Sequence, residues 1–174
     1  MKYYTSDLHL DHSNMIGYCD RPFKSVEEMN EALIRNINET ISADDDLYIL
    51  GDFTLRTKRE VVEAYVKAIH GRLHLIVGNH DYFAKGSWTK QLFASVDWYK
   101  EVWDEGRRVV LCHYPIHSWN GKQRGAYHLF GHVHKGDTPY RNWENAFNVG
   151  VDVNNYRPVT LSQLIWRAKN EHIL

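Results

Sequence analysis

Cysteine is scarce in this chain, with 2 residues among 174. Cys19 and Cys112 lie far apart and form no Cys-x-x-Cys motif, so the sequence predicts neither a disulfide framework nor a thiolate zinc site. Long hydrophobic runs are also absent, since none approaches the roughly 18 apolar residues that a membrane-spanning helix needs. Because the first apolar run begins almost at Met1 and leaves no room for a secretion signal, we expect a cytoplasmic protein.

An excess of one charge sign is absent as well, because the formal net charge at pH 7 is −1. Proteins that bind long duplex nucleic acid or anionic membranes usually carry a basic surface, so we expect neither partner. The sequence contains no proline-rich or glycine/serine-rich linker, no low-complexity tract and no internal repeat. A length of 174 residues fits one domain, which we expect to span residues 1–174.

Histidine is abundant instead, with 11 residues, and many of these histidines follow short apolar runs. Five such runs are rich in β-branched and aromatic residues and predict buried strands. The residues that follow them are Asp7 and His9, Asp52, Asn79 with His80 and Asp81, His113, and His132 with His134. Since the carboxyl ends of strands form the ligand-binding edge of an open α/β sheet, we expect these side chains to converge.

Amphipathic helices are predicted between the strands. Three capping boxes, each a Ser or Thr followed three residues later by Glu or Gln, mark helix starts at Ser25, Thr57 and Thr160. Apolar residues then recur at steps of three or four, and a shorter helix is predicted over about residues 87–94. The order of strands and helices predicts α/β layers in which helices cover a sheet or sheets.

The converging side chains have the chemistry of metal ligands. Two carboxylates, one amide oxygen and at least four imidazoles are more than one ion can use, so they predict a dinuclear metal site in a hydrolytic enzyme. Nitrogen and oxygen donors without sulfur favour Mn, Fe, Co, Ni or Zn over Ca. Each motif alone has a high false-positive risk, and the prediction therefore depends on all five occurring together.

The five blocks occur in an order that resembles the calcineurin-like metallophosphoesterase superfamily, and within it the small single-domain prokaryotic and phage-type members. The resemblance runs from Asp7 to about Pro158 and rests on Asp7-x-His9, Gly51-Asp52, Gly78-Asn79-His80, His113 and Gly131-His132-x-His134. It implies an α/β fold, a four-layer sandwich of two mixed β-sheets flanked by helices. It also implies hydrolysis of phosphoester bonds by a two-metal mechanism with a metal-bound hydroxide as the nucleophile.

The resemblance further implies a role for each residue of these blocks. The ligands of one divalent ion correspond to Asp7, His9, Asp52 and His134, and those of the other to Asp52, Asn79, His113 and His132. Asp52 would therefore bridge the two ions. His80 corresponds to the catalytic histidine that faces the phosphoester and either protonates the leaving group or stabilises the transition state.

One position departs from the protein Ser/Thr phosphatase branch of the superfamily. Leu55 stands where that branch has an aspartate that supports the catalytic histidine, which disfavours a phosphoprotein phosphatase and leaves Asp81 as one candidate partner for His80. Arg56 matches the branch's phosphate-contacting arginine, and a surface arginine near the start of a helix is the alternative. His12 is a candidate substrate-binding residue, with a solvated loop position as the alternative.

Three functions follow as hypotheses. Loss of the supporting aspartate favours a small phosphodiester or nucleotide as the substrate, and a phosphomonoesterase is the first alternative. The second alternative is a non-catalytic metal-binding interaction module on the same fold, although all seven predicted ligands and His80 are present. A metalloprotease is not predicted, because no His-Glu-x-x-His occurs. The remaining histidines, predicted to be structural or solvated, are His70, His74, His117, His128 and His172.

Overall fold

The computed structural model describes residues 1–135 and 143–170. Four strands form the first sheet: β1 (Lys2–Thr5), β2 (Asp46–Ile49), β3 (Arg72–Ile76) and β4 (Ser95–Asp97). They pair in that order, and every pair is parallel. Parallel neighbours need crossover connections, which the intervening helices supply. An isolated antiparallel bridge joins Tyr4 to Val159 beside β1.

The second sheet is mixed. Its strands are β5 (Tyr99–Asp104), β6 (Arg107–Cys112), β7 (Tyr127–Phe130) and β8 (Ala146–Asn148), again paired in chain order. β5 and β6 form an antiparallel hairpin, whereas β7 pairs parallel with both β6 and β8. The two turn residues of the hairpin, Glu105 and Gly106, have φ angles of 48° and 76°. Positive φ at both central positions is what a tight I′ hairpin turn requires.

The two sheets pack face to face over a shared apolar core. The buried residues that form it include Tyr4, Tyr48, Leu50 and Ile76 from the first sheet and Val109, Leu111 and Leu129 from the second. Neighbouring residues along each strand point to the opposite face, as the period of a strand requires. The hydroxyl of Tyr4 donates to the carboxylate of Asp104 at 2.9 Å, so these buried polar atoms satisfy each other.

Helices cover the outer face of the first sheet. The described α-helices are α1 (Asn14–Tyr18), α2 (Val26–Thr40), α3 (Arg59–Ala68), α4 (Thr89–Leu92) and α5 (Leu161–Asn170). Met29, Leu33 and Ile37 of α2 belong to the same buried cluster as Leu47 of β2 and Leu75 of β3. The apolar stripe predicted for this helix is therefore the face that packs on the sheet. α5 instead contributes to the core between the sheets.

Two of the three predicted helix starts are confirmed. The hydroxyl of Ser25 accepts from the backbone N–H three residues later at 3.2 Å, and Thr160 and Gln163 exchange two hydrogen bonds of 2.9 and 3.2 Å. The start at Thr57 is wrong, because α3 begins after Lys58, which lies at the N-cap without a side-chain cap. Thr57 lies one residue too early to serve the first free N–H groups of α3.

The predicted fold class is confirmed: the protein is α/β, with two four-stranded sheets flanked by helices. On the outer face of the second sheet, Val110 and Phe130 are covered by Trp119 and neighbouring loop residues. None of the described helices combines the length and the apolar character needed to cross a membrane.

Candidate metal centre

The loops that follow β1, β2, β3, β6 and β7 meet at one edge of the two sheets. The backbone N–H of Asp7 donates to the carbonyl of Gly51 at 3.0 Å, and that of His9 donates to the carbonyl of Asp52 at 2.8 Å. A further backbone hydrogen bond of 2.9 Å joins the loops after β6 and β7. The strand ends therefore converge as the sequence predicted.

Two glycines allow the loops after β2 and β3 to touch. A Cβ atom on Gly51 would lie 2.7 Å from the Cα of Gly78, and a Cβ atom on Gly78 would lie 2.9 Å from the Cα of Gly51. Gly51 also has a φ of 90°, a conformation that other residues rarely adopt. A side chain at either position would push apart the loops that carry Asp52 and Asn79.

Four of the predicted metal ligands have a left-handed backbone. The φ angles are 59° at Asp7, 52° at His9, 56° at Asp52 and 69° at His132. Positive φ is uncommon outside glycine and costs about 1–3 kcal/mol at each residue. Such strain collects at functional sites, where the surrounding structure holds a side chain in a direction that a relaxed backbone would not give it.

The first group of donors consists of Asp7, His9 and His134, whose ligand atoms all lie within 4.8 Å of one another. Nε2 of His9 is 3.4 Å from Oδ2 of Asp52, which brings a second carboxylate to the same place. This Nε2 atom is buried and has no hydrogen-bond partner within the described residues. A buried polar atom without a partner is costly, and a metal ion would supply the missing partner.

The second group surrounds the side-chain oxygen of Asn79. Oδ1 of Asn79 is 2.9 Å from Nε2 of His113 and 3.0 Å from Nδ1 of His132. Oδ2 of Asp52 lies 3.6 Å from the same Nε2 atom of His113. All seven predicted metal ligands are thus brought together, and a single oxygen of Asp52 lies between the two groups.

Two of the ring nitrogens that face away from the centre are held by the protein. Nδ1 of His113 donates to the carbonyl of Leu50 at 2.8 Å. Nδ1 of His134 lies 2.7 Å from Oδ2 of Asp152. A proton held on Nδ1 leaves the lone pair of Nε2 free for a metal ion, an arrangement that is usual for histidine ligands.

Burial controls the protonation of this centre. It raises the pKa of Asp7 and lowers the pKa of His9 to about 2, with the nearby His134 adding to the second shift. Burial also lowers the pKa of His132. At His134 burial also lowers the pKa, but the hydrogen bond to Asp152 and the negative charges of Asp7 and Asp152 together outweigh it and raise the pKa. A bound cation would stabilise the buried carboxylates and use the imidazoles in their neutral form. The residues present therefore fit divalent metal ions.

His80 and His12 lie beside the donor groups. The ring centroid of His80 is 5.3 Å from that of His9, and its backbone N–H donates to Oδ1 of Asp52 at 2.8 Å. The ring of His12 is 5.9 Å from that of His80 and 5.1 Å from that of His9. Both imidazoles are close enough to the centre for their rings to approach a bound substrate.

Arg56 lies at the rim and is already paired. Its Nε atom is 2.9 Å from Oδ2 of Asp11, and its side chain is 56% exposed. The partner of this predicted phosphate-binding arginine, Asp11, lies two residues after His9 in the sequence and partly compensates the charge of Arg56. Exposure leaves it free to exchange this partner for a substrate.

Asp81 does not orient His80. Its carboxylate accepts from the backbone N–H groups of Asp52 at 2.9 Å, Phe53 at 2.8 Å and Gly78 at 2.8 Å. The carboxylate of Asp81 therefore joins the loops after β2 and β3 through hydrogen bonds to the backbone of both. Within the described residues, no carboxylate forms a hydrogen bond with the His80 ring.

Arg21 and Asp152 are buried at this centre and were not predicted as site residues. Asp152 contacts His134, as described above, and Arg21 contacts Asp152. Cys19 also lies near both His134 and Asp152. Burial raises the pKa of the Cys19 thiol to about 11.

The other histidines are placed away from the centre. His74 lies between Asp46 and Ser95, and the buried His128 contacts the backbone at Val110 and Ile116. The side chains of His70 and His117 are exposed, and His172 lies outside the described residues. These positions agree with the structural or solvated roles predicted for the four that the structure describes.

The family comparison decides between the enzyme classes that such a centre could serve. The family model of the calcineurin-like phosphoesterases matches residues 3–170. The chain belongs to this family. This calcineurin-like phosphoesterase is thus a phosphoesterase hydrolase of a metal-dependent family, and the clustered histidines and aspartates are the residues that could hold the metal.

Three proteins similar to this calcineurin-like phosphoesterase are matched over most of their length. It is 33% identical over 168 residues to the uncharacterised protein MJ1445 of Methanocaldococcus jannaschii, and the match covers 94% of this chain and 88% of the relative. The crystal structure of AQ665, a protein of unknown function from Aquifex aeolicus, is similar with a TM-score of 0.77 and 26% identity, covering 95% and 98% of the two chains. An archaeal phosphodiesterase shares the fold with a TM-score of 0.50 and 16% identity, covering 86% and 81%.

Proposed function

We propose that this protein hydrolyses small phosphodiesters or nucleotides with two divalent metal ions, Mn, Fe, Co, Ni or Zn. Asp7, His9, Asp52 and His134 would hold one ion, and Asp52, Asn79, His113 and His132 the other. The observation that carries this proposal is the position of Oδ2 of Asp52, 3.4 Å from Nε2 of His9 and 3.6 Å from Nε2 of His113. An oxygen between two donor groups is suited to bridging two ions.

The roles of the chain's own residues follow from this placement. When bound, the two ions would supply an activated water as nucleophile and positive charge for the phosphoryl oxygens. His80, beside the donor groups, would protonate the leaving oxygen or stabilise its developing charge. His12 would contact the substrate from the same side, and Arg56 would bind a phosphoryl oxygen at the rim.

The alternatives receive less support from the same centre. A non-catalytic interaction module has no need for the unpartnered, buried Nε2 of His9 or for strained backbone at four donor positions. Two exposed aromatic rings lie beside the centre. Tyr114 is 40% exposed with its ring 4.7 Å from that of His132, and Tyr82 is 52% exposed with its ring 6.3 Å from that of His80.

Exposed aromatic faces beside the centre suit the stacking of a nucleobase or another flat group. They favour a small nucleotide or diester over long duplex nucleic acid, for which a net charge of −1 offers no basic surface. We propose a cytoplasmic site of action and no membrane partner, in line with the sequence.

Metal occupancy is expected to fall as the pH drops below about 6.5, since protons compete for the imidazoles. The competition should begin at His134, because the hydrogen bond to Asp152 raises its pKa and a proton is retained there at higher pH. His9 should not compete, since its pKa is lowered to about 2. Metal content after equilibration across a pH series measures the effect. Full occupancy down to about pH 4 would contradict a histidine-rich centre.

Activity of the metal-loaded protein against a panel of phosphoesters tests the proposed function. The panel pairs bis(p-nitrophenyl) phosphate with p-nitrophenyl phosphate, and cyclic nucleotides and dinucleotides with nucleotide monoesters. We expect the diester of each pair to be hydrolysed faster, with activity lost after chelation and restored by Mn, Co, Ni or Zn. Faster hydrolysis of the monoesters would favour the phosphomonoesterase. Two bound ions without hydrolysis of any ester would favour the interaction module.

A further inference from the structure

One buried guanidinium connects three segments around the metal centre. The side chain of Arg21 is 0% exposed, and all of its N–H groups have partners. Nε and Nη2 donate to the two carboxylate oxygens of Asp152, each at 2.9 Å. Nη2 also donates to the carbonyl of Asp7 at 2.7 Å, and Nη1 donates to the carbonyl of Leu8 at 3.0 Å and to the sulfur of Met29 at 3.4 Å.

The partner carboxylate reaches one of the predicted metal ligands. The side chain of Asp152 is also 0% exposed, and its Oδ2 atom lies 2.7 Å from Nδ1 of His134. Asp152 follows β8, His134 follows β7, and Arg21 follows α1. The chain Arg21–Asp152–His134 thus joins three segments that are distant in the sequence.

This pair is not explained by stability alone. Moving two charges out of water costs several kcal/mol per ion, and even a well-formed buried pair often recovers no more than that cost. Apolar side chains of similar volume would fill the same space at least as well. Apolar residues could not provide the acceptor that Asp152 offers to the N–H of His134, nor the donor that Arg21 offers to the carbonyl of Asp7.

We propose that Arg21 and Asp152 form a positioning pair that presents Nε2 of His134 and the carboxylate of Asp7 to one of the two metal positions. The inference rests on the proposed function, since it assigns these two side chains to one ion. By accepting from Nδ1, Asp152 holds His134 in the tautomer whose Nε2 lone pair is free. By donating to the backbone carbonyls of Asp7 and Leu8, Arg21 supports the left-handed turn at Asp7.

If the proposal is correct, a substitution in this pair should weaken metal binding at one position only. Among the proposed ligands, Asp152 contacts His134 of the first donor group. Asp7 also lies within 4.8 Å of Asp52 and His113, but the ring nitrogen of His113 that faces away from the centre is held by the carbonyl of Leu50, so the direct effect of Asp152 is expected at the first position. Partners of this kind typically change metal affinity 10- to 100-fold, roughly, when they are removed.

The substitution Asp152→Asn tests the proposal with little change in volume. Arg21 and His134 offer only donors to this carboxylate, so an amide must turn its NH2 group towards one of them. Either the ion pair is lost or His134 is driven to the other tautomer. Asp104→Asn is the matched control, because Asp104 is a buried carboxylate that accepts from the hydroxyl of Tyr4 in the core between the sheets.

Calorimetric titration with Mn²⁺ or Zn²⁺ measures the two positions separately. We expect Asp152→Asn to weaken one of two binding events about 10- to 100-fold and to leave the other within about twofold, with Asp104→Asn like the wild type. Arg21→Lys keeps the charge but cannot form the paired hydrogen bonds, so a smaller loss at the same position is expected. Unchanged affinity at both positions, or an equal loss at both, would overturn the proposal.

A second readout needs no metal. Long-range proton–nitrogen NMR correlations on the metal-free protein at alkaline pH report which nitrogen of His134 carries the proton. We expect Nδ1–H in the wild type and in Asp104→Asn, and a changed tautomer or a mixture in Asp152→Leu, which removes the acceptor for Nδ1. If the wild type bound fewer than two ions, the proposed function would fail, and this readout would still decide the pair. An unchanged tautomer in a folded Asp152→Leu variant, which offers Nδ1 of His134 no acceptor, would refute the positioning role, and the metal titration of Arg21→Lys decides the matter if that variant does not fold.

Discussion

Replacing Asp52 by asparagine is expected to abolish phosphoesterase activity and to weaken the binding of both metal ions. Oδ2 of Asp52 lies near the nitrogen donors of both groups, His9 and His113, while its Oδ1 accepts from the backbone of His80. The substitution removes the only negative charge that both ions would share. Since residues that merely support a ligand change affinity about 10- to 100-fold, loss of the bridge should cost more than about 100-fold at each position. Metal content after dialysis and turnover on a diester measure the two effects.

The control for this substitution is again Asp104→Asn, which removes a buried carboxylate far from the donor groups. It separates loss of the bridge from the general cost of removing a buried charge. The bridging assignment would be wrong if the Asp52 variant retained two ions per chain and near-normal turnover. Loss of only one ion would place Asp52 in a single coordination sphere.

The sequence predicted the fold because its strongest pattern, short apolar runs alternating with amphipathic helices, is the strand–helix order of a parallel sheet. Short apolar runs such as Leu47–Leu50 carry no helical period, and helix-period segments separate them, so parallel pairing with crossovers follows. The three-residue strands β4 and β8 could not be predicted, since so few residues show no alternation. The helix start predicted at Thr57 was wrong because a Thr followed three residues later by Glu is a common pattern. The three-dimensional path of the loop decides which residue lies at the N-cap.

Convergence of the donors was predictable for the same reason. Each predicted ligand lies just beyond a strand, and parallel strands present their carboxyl ends on one edge. The direction of a side chain within a loop was not predictable. Asp81 adjoins His80 in the sequence, yet its carboxylate turns away from that ring to three backbone N–H groups. Adjacency in a tight turn therefore says little about which group a side chain contacts.

Supporting contacts were the least predictable part of the centre. Arg21 and Asp152 are 131 positions apart and belong to no local motif, so only the folded chain brings them together. The same holds for Arg56, whose partner Asp11 lies 45 positions earlier. A sequence motif can be recognised when its residues lie at fixed spacings on one strand or loop. A buried pair that joins two distant loops has no fixed spacing, so it cannot be recognised from the sequence.

His80→Ala is expected to keep both metal ions and to reduce turnover by roughly 10²- to 10⁴-fold, the usual effect of removing a positioned proton donor. The ring of His80 lies 5.3 Å from that of His9 but belongs to neither donor group, so the variant should retain its metal. Turnover on esters with different leaving groups measures the role. A nitrophenyl ester needs little protonation of its leaving oxygen and should lose much less rate than an alkyl or nucleoside ester.

The control for His80 is His70→Ala, an exposed histidine in the turn before β3, and it should behave like the wild type. An equal loss on both classes of ester in His80→Ala would assign His80 to electrostatic stabilisation of the phosphoryl oxygens instead of proton transfer. Loss of metal would show that the ring is a ligand and would end the catalytic assignment. The leaving-group comparison is decisive here, because within the described residues no carboxylate holds the His80 ring and its action must come from its position beside the centre.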